Sequence, residues 1–133
     1  MRNILKTFLI GSAVIAAPAL AAPRDNPDVQ MQKLLAGRTA GKPVSCINLN
    51  WSRSSEVVPG RAITYRVGGK LYVNQPSSGA EALDDDSILV TRTVGSQLCR
   101  GEVVNLIDRG SRFPRGFVLL GDFVPYTKVK AAR

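Results

Sequence analysis

The chain has two cysteines, Cys46 and Cys99, and this pair limits its possible folds more than any other feature. An even count in an oxidising compartment points to a disulfide, and two cysteines leave only one pairing. Such a bridge closes a loop of roughly 50 residues and stabilises by about 2–5 kcal/mol, mostly by restricting the unfolded chain. The strand carrying Cys46 must then meet the segment near Cys99. The spacing is far from a C-x-x-C pair, so a structural role is expected and thiol catalysis is not.

The amino terminus supplies the compartment. In "MRNILKTFLIGSAVIAAPALAAPRDNP", Arg2 and Lys6 give a short positive start to an apolar run over Thr7–Ala17. That run is too short for a membrane span of roughly 20 residues. Pro18 breaks it, and Ala19-Leu20-Ala21 offers the small-x-small pattern that signal peptidase reads. A secretory signal peptide over residues 1–21 is expected, cut after Ala21, with an uncleaved anchor as the rival reading. No Cys follows the cut, so no lipid anchor is expected. The protein is then periplasmic or secreted, with no transmembrane segment after cleavage.

Removing residues 1–21 from the 133 leaves 112, enough for one domain with a modest core. Removing Arg2 and Lys6 from the 18 basic residues leaves 16 against 10 acidic, a net charge of +6. An exported basic protein can meet anionic lipid head groups, acidic polysaccharide or an acidic protein. No nucleic-acid motif is present, and nucleic acid is not an expected partner.

Residues 22–43 read as a flexible start and a short helix, and 44–133 as a disulfide-braced β domain. Asn26 is a natural cap, Pro27 suits the first helical position, and Asp28 favours the positive helix end. A helix over Pro27–Ala36 stopped by Gly37 follows, then a linker through "GRTAGKP". "VSCINL" and "SSEVV" read as strands, the latter ended by Pro59-Gly60. "RAITYRVGGKLYVNQP" alternates on both sides of a Gly-Gly and reads as a hairpin. A three-residue loop, Val67-Gly68-Gly69, keeps Ile63, Tyr65, Leu71 and Val73 on one face and is the expected register. "ILVTRTV" is a β-branched strand. "EVVNLID" is nearly all apolar, which predicts cover on both faces. "FVLLGDFVPY" reads as a last strand bent at Gly121. The fold class expected is mainly β: a small antiparallel barrel or roll of about six strands with one short N-terminal helix.

No histidine occurs, which removes Ser-His-Asp and Cys-His mechanisms and the usual zinc sites. Carboxylate or lysine chemistry stays open. Glu56, Glu81, Asp84, Asp85, Asp86, Glu102, Asp108 and Asp122 are the acidic candidates, and no spacing singles out a glycosidase pair. "DDD" at Asp84–Asp86 lacks the EF-hand pattern and reads as a solvated turn. "GRTAGKP" lacks P-loop spacing. No catalytic residue, metal or cofactor is therefore assigned.

"DRGSRFPRGF" holds the one candidate recognition element. Arg109, Arg112 and Arg115 stand three apart, with Gly110 after the first and Gly116 after the last. In an extended loop such residues share a side, where guanidinium groups grip phosphates or carboxylates bidentately, with Phe113 and Phe117 stacking beside them. The plain alternative is a hairpin connection carrying solubilising charge.

With "CINL", "ITYRVGGKLYVN" and "DDDSILVTRTVGSQLCRGEVVNLIDRGSRFPRGFVLLGDFVPY", the chain resembles a family of small exported bacterial proteins of unknown function. The resemblance covers about Val44 to Tyr126. It implies export and a single domain and brings no activity, ligand or catalytic residue. The expected function is an exported non-enzymatic binding or interaction module of unknown ligand, with anionic surfaces as a candidate contact. The alternative is a small periplasmic enzyme or enzyme inhibitor using carboxylates or Lys, which needs two buried acids facing one cleft.

Overall fold

The computed structural model describes residues 24–130, together with positions 11, 14 and 16–19. The leader expected over residues 1–21 and its expected cut after Ala21 lie outside the described residues apart from those few positions.

One α-helix and ten strands form among the described residues. The helix, α1, spans Pro27–Leu35, and the Asn26 side chain caps it by accepting from the Asp28 amide. The first strands are β1 (Arg38–Ala40), β2 (Cys46–Asn48), β3 (Ser52–Val58), β4 (Ala62–Val67) and β5 (Lys70–Asn74). Then come β6 (Ser87–Thr91), β7 (Gln97–Cys99), β8 (Val103–Asp108), β9 (Pro114–Leu119) and β10 (Phe123–Lys128). They make three antiparallel sheets: β1-β10-β5-β4-β3, β6-β8-β9, and the ribbon β2-β7. The mainly β expectation holds. The strand number exceeds the six expected, and no closed barrel forms among the described residues. Strands β3 and β6 are both sheet edges, and a cleft of about 670 Å³ lies between Ser55–Val57 of one and Ser87–Leu89 of the other.

The core lies between the two larger sheets. Val57, Ile63, Tyr65 and Phe123 from the five-stranded sheet meet Val104, Leu106 and Val118 from the three-stranded one. Ile47 and Leu98 of the ribbon join them. The Tyr65 and Phe123 rings meet edge to face, with centroids 5.9 Å apart. Cys46 and Cys99 are direct cross-strand partners, disulfide-bonded with Cα atoms 4.0 Å apart.

Four readings are corrected. First, the β4–β5 hairpin has the two-residue loop Gly68-Gly69, pairing Val67 with Lys70 and Tyr65 with Tyr72. Gly68 takes φ +60°, the left-handed geometry that the first loop residue of a II′ turn needs. This register separates Leu71 and Val73 from Ile63 and Tyr65. It costs nothing because both faces of the sheet are covered. Val58, Ala62, Thr64, Leu71 and Val73 are buried on the second face. Helix α1 lies over that side, where Gln30 reaches Glu56 and the Val57 carbonyl.

Second, part of "GRTAGKP" is not a linker, because Arg38–Ala40 forms β1 against β10. Third, β8 is covered on one side only: Val104 and Leu106 are buried while Val103 and Asn105 are exposed. Fourth, "FVLLGDFVPY" belongs to two strands in different sheets, β9 and β10.

The change of sheet happens at Gly121. The buried Asn74 amide clamps its backbone, Nδ2 donating to the Gly121 carbonyl at 2.8 Å and Oδ1 accepting from the Gly121 amide at 3.0 Å. A Cβ here would press into the Gln75 carbonyl oxygen.

Two outcomes follow. Asn74→Ala leaves both Gly121 groups buried without partners and should cost about 2–4 kcal/mol in urea unfolding. Gln75→Ala, at an exposed neighbour, should stay within about 0.5 kcal/mol. An unchanged midpoint for Asn74→Ala would refute the clamp. Thiol titration of the native, unreduced protein should find no reactive cysteine. Two reactive thiols would contradict the bridge.

Candidate functional site

The arginine loop is organised by Asp108. Its Oδ1 accepts from the Gly110 amide (3.0 Å), the Ser111 amide (2.7 Å) and the Ser111 hydroxyl (3.0 Å). The Arg112 amide donates to the Asp108 carbonyl, and Arg112 takes φ +63°. The segment is thus a tight turn, and the three-residue spacing does not put its arginines to one use. Arg115 is instead the second residue of β9, and its guanidinium lies between Asp108 (3.1 Å) and Asp84 (3.2 Å). Arg109 lines the β3–β6 cleft with Glu56 and Asp85. Arg112 is exposed, as are Phe113 and Phe117. Arg115 therefore holds the turn, while Arg109 and Arg112 form no ion pair among the described residues.

A second cationic group emerges only from the sheet pairing. Arg38, Arg53, Arg66, Lys70 and Lys128 surround a depression of about 220 Å³ whose lining holds no carboxylate. None of the five forms an ion pair among the described residues. Each comes from a different strand of the five-stranded sheet, at one end. Arg38 lies directly opposite Lys128. Arg66, Leu71 and Tyr126 form one row across β4, β5 and β10, and Lys128 stands two residues beyond Tyr126. Side chains two apart share a face, so Arg38, Arg66 and Lys128 are on one side. Arg53 sits at the register shift between Ser52 and Ser54. Gly68 and Gly69 complete the lining, with open space where a Cβ would stand.

No sequence window could reveal this group. Arg66 and Lys70 flank the Gly-Gly turn and were within reach of pattern reading. Arg38 and Lys128 became neighbours only through β1–β10 pairing.

Arg38, Arg66 and Lys128 also line a groove of about 870 Å³ beneath α1. Its far end is mixed in charge, with Arg24, Asp25, Glu56, Asp84 and Asp85. Asp84, Asp85 and Asp86 cluster within 4.8 Å of one another in the turn before β6. Arg24 pairs with Asp85 and Asp86, and Arg115 with Asp84. A hydrogen bond between Asp84 and Asp85 holds Asp84 below the ordinary carboxylate value and pushes Asp85 above it. The buried polar residues among those described are Thr64, Asn74 and Ser87, so no buried pair of acids faces this groove. Burial raises the Tyr65 phenol, whose hydroxyl lacks a partner, as does that of Ser87.

No family model, curated protein or solved structure matches this chain.

Asp108 gives a pH signature. The Ser111 amide, then the Ser111 hydroxyl, the Gly110 amide and Arg115 hold its carboxyl below 3.8. A value depressed in the folded state gives stability that is complete above the unfolded value and lost as pH falls through the folded one. Carboxyl NMR should place the Asp108 midpoint below 3.8. Asp108→Asn should remove that acid-dependent loss and leave Arg115 with Asp84 as its one carboxylate partner. A midpoint at or above the ordinary value would show that the turn does not rest on this carboxylate.

Proposed function

We propose that this protein is an exported, non-enzymatic binding module that takes an anionic ligand at the cationic end of its five-stranded sheet. One observation carries the reading: five cations from five strands line one depression with no carboxylate among them. Folding gathers these like charges against their repulsion. Arg38 and Lys128, as directly opposed like charges, weaken their own strand pairing. An anion reverses the sign of that interaction. The two-armed donors of Arg38, Arg53 and Arg66 suit phosphate, sulfate or carboxylate oxygens. The net charge of +6 left after removal of Arg2 and Lys6 adds long-range attraction.

Export is supported by the leader pattern and is compatible with the disulfide. The enzyme alternative loses support because the groove carboxylates are not buried.

The test is a binding isotherm with a soluble polyanion such as dextran sulfate. Arg38→Gln/Arg66→Gln/Lys128→Gln should weaken binding by roughly 10–100-fold, since hydrogen bonds to charged groups contribute about 1.5–3 kcal/mol. It should also flatten the salt dependence. Circular dichroism should stay unchanged, because Arg66 and Lys128 are exposed and none of the three is ion-paired. If Arg109→Gln/Arg112→Gln abolishes binding and the sheet triple does not, the site is the turn. A wild-type protein that ignores polyanions at low salt would rule out both.

A further inference from the structure

We infer that the anion met by this sheet end is the surface of an anionic lipid bilayer, with Trp51 as its interfacial anchor. The inference rests on the anion-binding reading above and adds the identity of the partner. Trp51 is the only tryptophan in the chain, and it is 69% exposed. It immediately precedes β3, and its carbonyl accepts from the Gly68 amide at 3.2 Å. Gly68 lines the cationic depression, so the indole-bearing residue is one backbone hydrogen bond from it. On the opposite flank Val129 follows Lys128 directly and is 62% exposed. Its amide donates to the Gly37 carbonyl, which holds it beside β1 at the same end. Val94, fully exposed, lies in the loop whose Ser96 carbonyl accepts from Leu49, two residues before Trp51.

The sheet end therefore presents cations between apolar side chains. Five strands at a spacing of about 4.8 Å spread this row over roughly 19 Å. A small soluble anion needs neither that width nor the apolar flanks. A soluble polyanion uses the width but leaves Trp51 and Val129 in water. A bilayer surface offers phosphates across the whole row and an amphipathic zone beside them, where indole rings settle. No helix among the described residues is long and apolar enough to cross a membrane, and the docking inferred here is peripheral.

The single tryptophan is its own reporter. The exported protein is mixed at low salt with vesicles of phosphatidylglycerol and phosphatidylcholine, and separately with vesicles of phosphatidylcholine alone. Expected are a blue shift of Trp51 emission and quenching by brominated acyl chains with the anionic vesicles only, both reversed by added salt. Trp51→Ala should lower vesicle affinity by roughly tenfold or more, with Trp51→Phe recovering part of the loss. Dextran sulfate binding by Trp51→Ala should match wild type. If anionic vesicles bind but emission and the Trp51→Ala affinity do not change, the anchor is refuted. If dextran sulfate binds and anionic vesicles do not, the bilayer is refuted while the anion-binding reading survives. If neither binds, both readings fall.

Discussion

The Asn74–Gly121 clamp determines how the two larger sheets share one chain. Residues 114–128 run through both, as β9 and then β10, and the short crossing between them must be buried without leaving peptide groups unpaired. A side-chain amide can satisfy one N–H and one C=O together, and here Asn74 does so from the last position of β5. Asn74 also lies opposite both Phe123 and Ile63 in the ladders. The clamp thus fixes the crossing and the start of β10 at the same place. Everything downstream on β10, including the position of Lys128 beside Arg38, inherits that register.

The disulfide acts on a different part of the molecule. It ties the small β2–β7 ribbon, whose Ile47 and Leu98 complete the core. A three-residue pairing has little strength alone, and a two-stranded ribbon is marginal in water. The covalent tie makes that ribbon persist, and the Val44–Phe123 bridge connects it to β10. Core closure therefore relies on a clamp at one place and a bridge at another.

What the sequence disclosed follows from the range of each interaction. The capped helix was readable because Asn26, Pro27 and Asp28 act within one turn. The cysteine pairing was readable by counting. The β4–β5 register differs from the expected one because alternation alone assumes one wet face, while Leu71 and Val73 are buried on the second face, the side on which α1 reaches Glu56 of β3. Strand β1 carries Arg-Thr-Ala, with no apolar alternation to announce it, and exists through its partner. The arginine spacing was visible, yet Asp108 coils the segment and draws Arg115 out of the set. The sheet-end cations were invisible for the same reason as β1, since 90 residues separate Arg38 from Lys128.

The Arg38–Lys128 pair has a consequence for the sheet edge itself. Strand β1 is three residues long, ends the sheet, and begins with one member of a like-charged pair. Its docking is thus weakest when the depression is empty. Under the anion-binding proposal, an anion between the two side chains would tighten the edge, and a tighter edge would raise affinity for the anion by the same factor. Occupancy of the proposed site and closure of the outermost strand would then be one equilibrium, with edge fraying as its gauge.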